Sequence, residues 1–156
     1  SVEWIKSHKI SQEEYKYGKM VYKSYVVALA FLPGIFSIFY GDEVGSTGIG
    51  NLANRVPYPW NHKDKDLLKF FRVLGKIRQR EKFLKNAEIR ILRIDHEQFV
   101  FERYDKKNKI LVVTSRTHRT TQVYLPEEYK NAEILFKVQG SNKQQLSSFG
   151  AIAIKK

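Results

Sequence analysis

Asp42 and Glu43 are adjacent carboxylates that follow a short apolar run, Ile35-Phe36-Ser37-Ile38-Phe39-Tyr40, and precede a glycine-rich stretch from Gly45 to Gly50. Paired carboxyls do acid/base work when they reach one bond from opposed sides. Neighbours on an extended strand point to opposite faces, so this pair is expected to anchor a loop, bonding backbone amides or an arginine. The four histidines, His8, His62, His96 and His118, have no mutual spacing that suggests a metal site. The chain has no cysteine, which excludes disulfides, thiolate ligands and a thiol nucleophile. No metal and no cofactor are expected. The glycine-rich stretch opens no helix and carries no Lys-Ser/Thr, so it is not a phosphate loop. Tyr58 and Trp60 either offer faces for stacking or pack their own loop.

These residues must be positioned by elements whose periodicity changes twice. From Gln12 to Leu32, Tyr15, Tyr22, Val26 and Leu29 recur mostly at helical spacing, with Tyr25 beside them. Ser11 fits an N-cap, and Glu14 completes a capping box. Pro33-Gly34 stops the helix. The run Ile35 to Tyr40 is apolar at nearly every position and reads as a strand buried on both faces, the pattern of a parallel sheet. Gly41 to Trp60 is then a long connection. From Asp66 to about Lys82, Leu67, Phe70, Phe71, Leu74 and Ile77 form one apolar stripe, and close approach of a neighbouring backbone would explain Gly75. After Asn86 six strands are expected: Ile89–Ile91 continuing to Ile94, Phe99–Phe101, Ile110–Val113, Gln122–Leu125, Ile134–Val138 and Ala151–Ile154. Turn signals at Asp105 to Asn108 and Gly140 to Asn142 separate them, as in a small antiparallel sandwich. Alternation places Ile91, Phe99, Phe101, Leu111, Val113 and Ile152 in its core.

The 156 residues carry 28 Lys+Arg against 16 Asp+Glu, a net charge of +12. Residues 61–86 hold nine basic and three acidic groups, and residues 87–156 thirteen and eight, so the excess lies in the middle and at the end. A basic face is the footprint of nucleic-acid binding, but no recognition motif accompanies it and no nucleic acid is expected as partner. A hydrophobic content of 42% excludes intrinsic disorder. The longest apolar stretch, Tyr25 to Tyr40, is broken by Pro33-Gly34 and is too short for a bilayer, so no membrane partner is expected. No basic segment leading into an apolar one opens the chain, as a signal peptide would require. Localisation stays open, with the cytoplasm favoured.

One strand between two helices cannot satisfy its own ladder or cover its apolar faces. It reads as the end of a larger βα structure. Pro33 to Gly45 resembles the last barrel strand of the α-amylase superfamily of glycoside hydrolases and transglycosylases, roughly "LPGxPxIYYGDEIG". Asn54-Arg55-Val56-Pro57-Tyr58-Pro59-Trp60 resembles the "NRRPMPW" segment of that family. Leu67 to Arg78 resembles its final barrel helix, and Ser148-Phe149-Gly150-Ala151 the end of its C-terminal sandwich. The resemblance implies an α+β fragment. Residues 1–86 would be the last helix-strand-helix portion of a (β/α)8 barrel, and residues 87–156 the all-β antiparallel sandwich called domain C.

The same resemblance implies an α-glucan or maltooligosaccharide as the parent's substrate, cleaved or transferred with retention at α-1,4, or also α-1,6, bonds. The neopullulanase and cyclomaltodextrinase branch is the most similar. Its loop after the eighth strand reads like "GGNDPDNRR", in which the Asp and the first Arg bind a glucose unit. Arg55 matches that Arg, and Asn51 stands at the Asp position, so a charge-assisted bond is missing there. The family's three catalytic carboxylates lie on earlier strands, one in an "NHD" segment absent from this chain, so no catalytic residue is expected here. Two other readings stay open. One is a non-catalytic carbohydrate-binding β-module using Tyr104 or Tyr124, and the other is a basic nucleic-acid-binding domain. An exposed strand edge also invites self-association through Ile35–Tyr40.

Overall fold

The computed structural model describes residues 10–48 and 56–156. The described residues fall into two compact units, one within Ser1–Lys19 and Ser37–Val73, the other from Met20–Phe36 and Leu74–Lys156. Helix α1 spans Gln12–Phe31 and helix α2 spans Lys65–Arg80.

In the first unit, α1 starts as its sequence requires. The Ser11 hydroxyl accepts from the Glu14 N–H at 3.1 Å, and Glu14 accepts from the Ser11 N–H at 2.8 Å. This capping box satisfies two amide donors that the first turn would leave unpaired. Helix α2 starts one residue earlier than its apolar stripe suggested. Its cap is Asp64, whose Oδ1 accepts from the backbone N–H groups of Asp66 and Leu67 at 3.0 and 2.9 Å.

The second unit is built on a five-stranded antiparallel sheet in the order β1-β2-β3-β7-β5. The strands are β1 Glu88–Ile94, β2 Gln98–Tyr104, β3 Lys109–Ser115, β5 Glu133–Val138 and β7 Ala151–Lys155. A second sheet pairs β4 Thr121–Gln122 with β6 Gln145–Leu146. Five of the six expected strands lie where alternation puts them. The sixth shrinks to the two residues of β4, and β6, which has too few apolar residues to signal itself, pairs with it.

The expectation of one inward face per strand is corrected, because the large sheet is buried on both sides. Val100, Leu111, Val113, Ile152 and Ile154 pack with Val123, Tyr129 and Leu146 on one face. Phe101 pairs with Val112 and therefore shares the opposite face, with Ile110 and Ala153, all 0% exposed. There the Ser24 hydroxyl, on the second half of α1, donates to the carbonyls of Ser115 and Gly150 at 3.1 and 3.3 Å. A sheet covered by a helix on that side loses the polar-out alternation. Ile91 also lies on the Phe101 face, but on edge strand β1, where it is 57% exposed. Leu92, the next residue of β1, packs instead against the Val100 cluster on the other face. Phe99 is only half-buried.

Three further expectations fail. The segment Ile35–Tyr40 forms no strand, and Ile35, Ile38, Phe39 and Tyr40 are exposed, with Ile35 at 96%. A parallel strand needs neighbours to complete its ladder, and the described residues supply none. On α1 the buried residues are Ser24, Val26, Val27, Ala28, Ala30 and Phe31, while Tyr25 and Leu29 point outward. Gly75 meets no neighbour, since an added Cβ would find no atom within 4 Å, so close backbone approach does not account for it.

Candidate functional site

The carboxylates singled out in the sequence lie on a single 3-10 turn, Asp42–Val44, and not at the end of a strand. Both flanking glycines have left-handed backbones, Gly41 at φ 91° and Gly45 at φ 79°. A Cβ on Gly45 would stand 2.1 Å from the Tyr15 hydroxyl, so glycine is required there by space as well as by φ. Glu43 Oε2 accepts from the Gly41 N–H at 2.9 Å and so closes its own turn. The Ser46 N–H adds a bond to the Gly41 carbonyl at 2.9 Å.

This turn is fastened to the start of α2. The Asp64 N–H donates to the Val44 carbonyl at 2.9 Å. Asp64 Oδ2 accepts from the Tyr15 hydroxyl and from Lys19 Nζ, both at 2.7 Å, and Lys19 also reaches Asp66 at 2.9 Å. Partial burial would raise the Asp64 pKa, but the bonds from Lys19, the Leu67 amide and Tyr15 outweigh it and hold the carboxyl at about 2. Partial burial, with the bond to Asp64, pushes the Tyr15 hydroxyl well above the usual phenol range. Neither Tyr15, Lys19 nor Asp64 stood out in the sequence. An Asp one residue before an amphipathic helix was the available signal for the last of them.

Following the turn, Tyr58 and Trp60 pair with ring centroids 4.8 Å apart and planes tilted by 56°. Lys63 Nζ stands 4.6 Å from the Trp60 ring and 5.3 Å from that of Tyr58. The Tyr58 hydroxyl faces the Glu43 carboxylate, with Arg72 nearby. Desolvation and Glu43 raise its pKa. Arg55 and Asn51 lie outside the described residues. In the second unit, Tyr104 and Tyr124 each face a guanidinium, Arg90 at 5.4 Å and Arg93 at 5.9 Å. Among the described residues no three His, Asp or Glu side chains gather as a metal site, and no helix is long and apolar enough to cross a membrane.

No family model matches the chain. It is 37% identical over 71 residues to an amylopullulanase from Thermoanaerobacter thermohydrosulfuricus, which covers 46% of this chain and 5% of that protein. It is 31% identical over 71 residues to an amylopullulanase from Thermoanaerobacterium thermosulfurigenes, again 46% of this chain and 4% of that one. The chain thus spans about one-twentieth of the length of these relatives. A maltogenic amylase from S. marinus superposes over 87% of the chain and 19% of its own, with a TM-score of 0.71 at 20% identity. A debranching enzyme from Nostoc punctiforme superposes over 89% of the chain and 30% of its own, with a TM-score of 0.73 at 18% identity. Over these stretches the chain is similar to glycoside hydrolases of the α-amylase superfamily. Its antiparallel sheet corresponds to the C-terminal domain of those α-amylase superfamily structures.

Proposed function

We propose that this chain is the closing part of an α-glucan-acting retaining hydrolase or transglycosylase of the neopullulanase-like branch. Residues 1–86 then supply the last helix-strand-helix of a (β/α)8 barrel and residues 87–156 its domain C. The observation that carries this reading is the 37% identity to an amylopullulanase, joined to a fold shared over most of the chain with amylases. The bare, apolar Ile35–Tyr40 segment supports it, because four large apolar side chains in a barrel strand would be covered by neighbouring strands.

In this reading the chain holds no catalytic carboxylate. Glu43 and Asp42 shape the loop after the barrel strand, and Arg55 and Asn51 hold a glucose unit there. A guanidinium donates two bonds to vicinal hydroxyls, while Asn51 both donates and accepts without charge. The test is hydrolysis of starch, pullulan and cyclodextrin by the complete polypeptide that carries this chain, with the anomeric configuration followed by proton NMR. Products released first as α-anomers are expected. Release of β-anomers, or no attack on any of the three glucans, overturns the reading.

A further inference from the structure

A cavity of about 540 Å³ opens in the second unit, where the end of α2 meets the turn that follows α1. Its wall carries Arg78, Lys82 and Lys85, with Gln79 and the apolar Ile35 and Leu84. Among the described residues no carboxylate lines it. The cations converge for local reasons. Lys82 and Lys85 open and close a single 3-10 turn, and side chains three apart on such a turn eclipse each other. The Arg78 guanidinium donates to the carbonyls of Ala30, Leu32 and Gly34. Those bonds fix it and take three of its five N–H groups, which leaves two for a ligand.

The positive charge here is uncompensated. Glu81, next to this turn in the chain, is held by Arg80 at its Oε1 at 3.0 Å and by Lys155 at its Oε2 at 2.6 Å. Neither Lys82 nor Lys85 pairs with a carboxylate among the described residues. Arg103, which donates to the Leu84 carbonyl, feels the same field, since burial and next the charge of Arg78 push its pKa down. An anion in the cavity would relieve that repulsion. Three cations suit a doubly charged ligand better than a single carboxylate, and a guanidinium beside two ammonium groups matches the oxygens of a phosphate. The volume falls in the ordinary range of small-molecule sites, so an organic body has room beside the anion, against Ile35 and Leu84. We propose that Arg78, Lys82 and Lys85 form a binding site for the phosphate group of a small phosphate monoester. The site is built from other residues than the Asp42–Val44 turn and does not depend on the glucan reading.

The test is calorimetric titration of the whole 156-residue chain, at a concentration where it sediments as a monomer, with inorganic phosphate, AMP and glucose 6-phosphate. Adenosine and citrate are the controls. Both monoesters are expected to bind more tightly than inorganic phosphate, with adenosine silent. The tighter of the two tells a nucleotide source from a sugar-phosphate one. Lys82 and Lys85 are exposed, so the double variant Lys82→Gln, Lys85→Gln is expected to keep its circular dichroism spectrum. It is expected to bind about tenfold more weakly, the scale of two exposed ion pairs. Lys106→Gln, Lys107→Gln removes the same charge from the exposed Asp105 turn and is expected to leave the affinity unchanged. Amide resonances of Gln79 and of residues 82–85 are expected to shift on addition of AMP. Absence of binding by all three phosphates, equal weakening by the two double variants, or citrate bound as tightly as the monoesters overturns the site.

Discussion

The Tyr15 hydroxyl donates to Asp64 Oδ2 at 2.7 Å, a bond that joins residues 49 positions apart and ties the first turn of α1 to the cap of α2. The same carboxylate caps α2 through the Asp66 and Leu67 amides and receives Lys19, so one charge serves four donors. Its pKa of about 2 lies below the ordinary value, which means folding favours the charged form. Stability from this group is fully present above the unfolded pKa near 4 and is lost as pH falls through about 2. Asp64→Asn keeps an acceptor at the cap and removes the charge. Chemical denaturation at pH 7 and at pH 2 is expected to show a gap between wild type and Asp64→Asn that narrows on acidification. A gap of constant size would show that the charge contributes nothing.

Gly45 gives a second test of the same corner. Gly45→Ala is expected to destabilise the chain by about 2 kcal/mol, from positive-φ strain together with the collision at the Tyr15 hydroxyl. In a Tyr15→Ala background the collision with the hydroxyl is gone, leaving the strain and a 3.2 Å approach to Asp64 Cβ, so the cost of Gly45→Ala should fall to about 1 kcal/mol. Equal costs in both backgrounds would refute the contact.

Arg103 is 1% exposed and donates to the carbonyls of Phe31, Leu84, Ala87 and Glu88. It thereby closes the end of α1 and the connection into β1. Arg103→Met fills similar volume but leaves buried carbonyls unpaired, at an expected cost of about 3–5 kcal/mol. Arg103→Lys restores one donor site in place of a fork and should recover only part of that loss. Thermal unfolding of the three proteins ranks them. A Met variant as stable as wild type would show that the carbonyls find water.

Much of the fold was legible in the sequence, and the reasons are local. The capping box at Ser11 and Glu14, the Asp105 turn and the β-branched runs of β3 and β7 each specify their own geometry within a few residues. What misled was anything decided by partners far along the chain. Phe101 and Leu111 read as one face, yet their register sets them on opposite sides of a sheet covered twice. Ile35–Tyr40 reads as a buried strand because its composition answers to neighbours that the described residues lack. At the candidate site the Asp42-Glu43 pair and the aromatic pair were visible as residue types, but the Tyr15–Asp64 bond was not, since no spacing announces a contact across 49 residues.

Ile35, Ile38, Phe39 and Tyr40 leave an apolar segment in solvent, and we propose that the purified chain covers it by pairing with a second copy. Burying four such side chains offsets about 1.5–3 kcal/mol each at most. Sedimentation velocity over a range of concentrations is expected to show reversible dimers, lost in the double variant Ile35→Asp, Phe39→Asp. A monomer at all concentrations would rule out pairing through this segment.

The purified 156-residue chain is expected to release no reducing sugar from starch, pullulan or cyclodextrin. Retaining hydrolysis needs two carboxyls about 5 Å apart on either side of one bond, held to within about half an ångström. Asp42 and Glu43 are successive residues of one 3-10 turn, and Glu43 is already bonded to the Gly41 amide. Side chains set in that way do not approach a bond from two sides. Asp64, the most strongly ionised carboxyl near the loop, caps a helix and holds Lys19, so it has no proton to give at neutral pH and no freedom to attack. Asp42→Asn and Glu43→Gln serve as controls. Turnover by the chain that disappears in either variant would place an active site on this turn and overturn the assignment of catalysis to other parts of the parent protein.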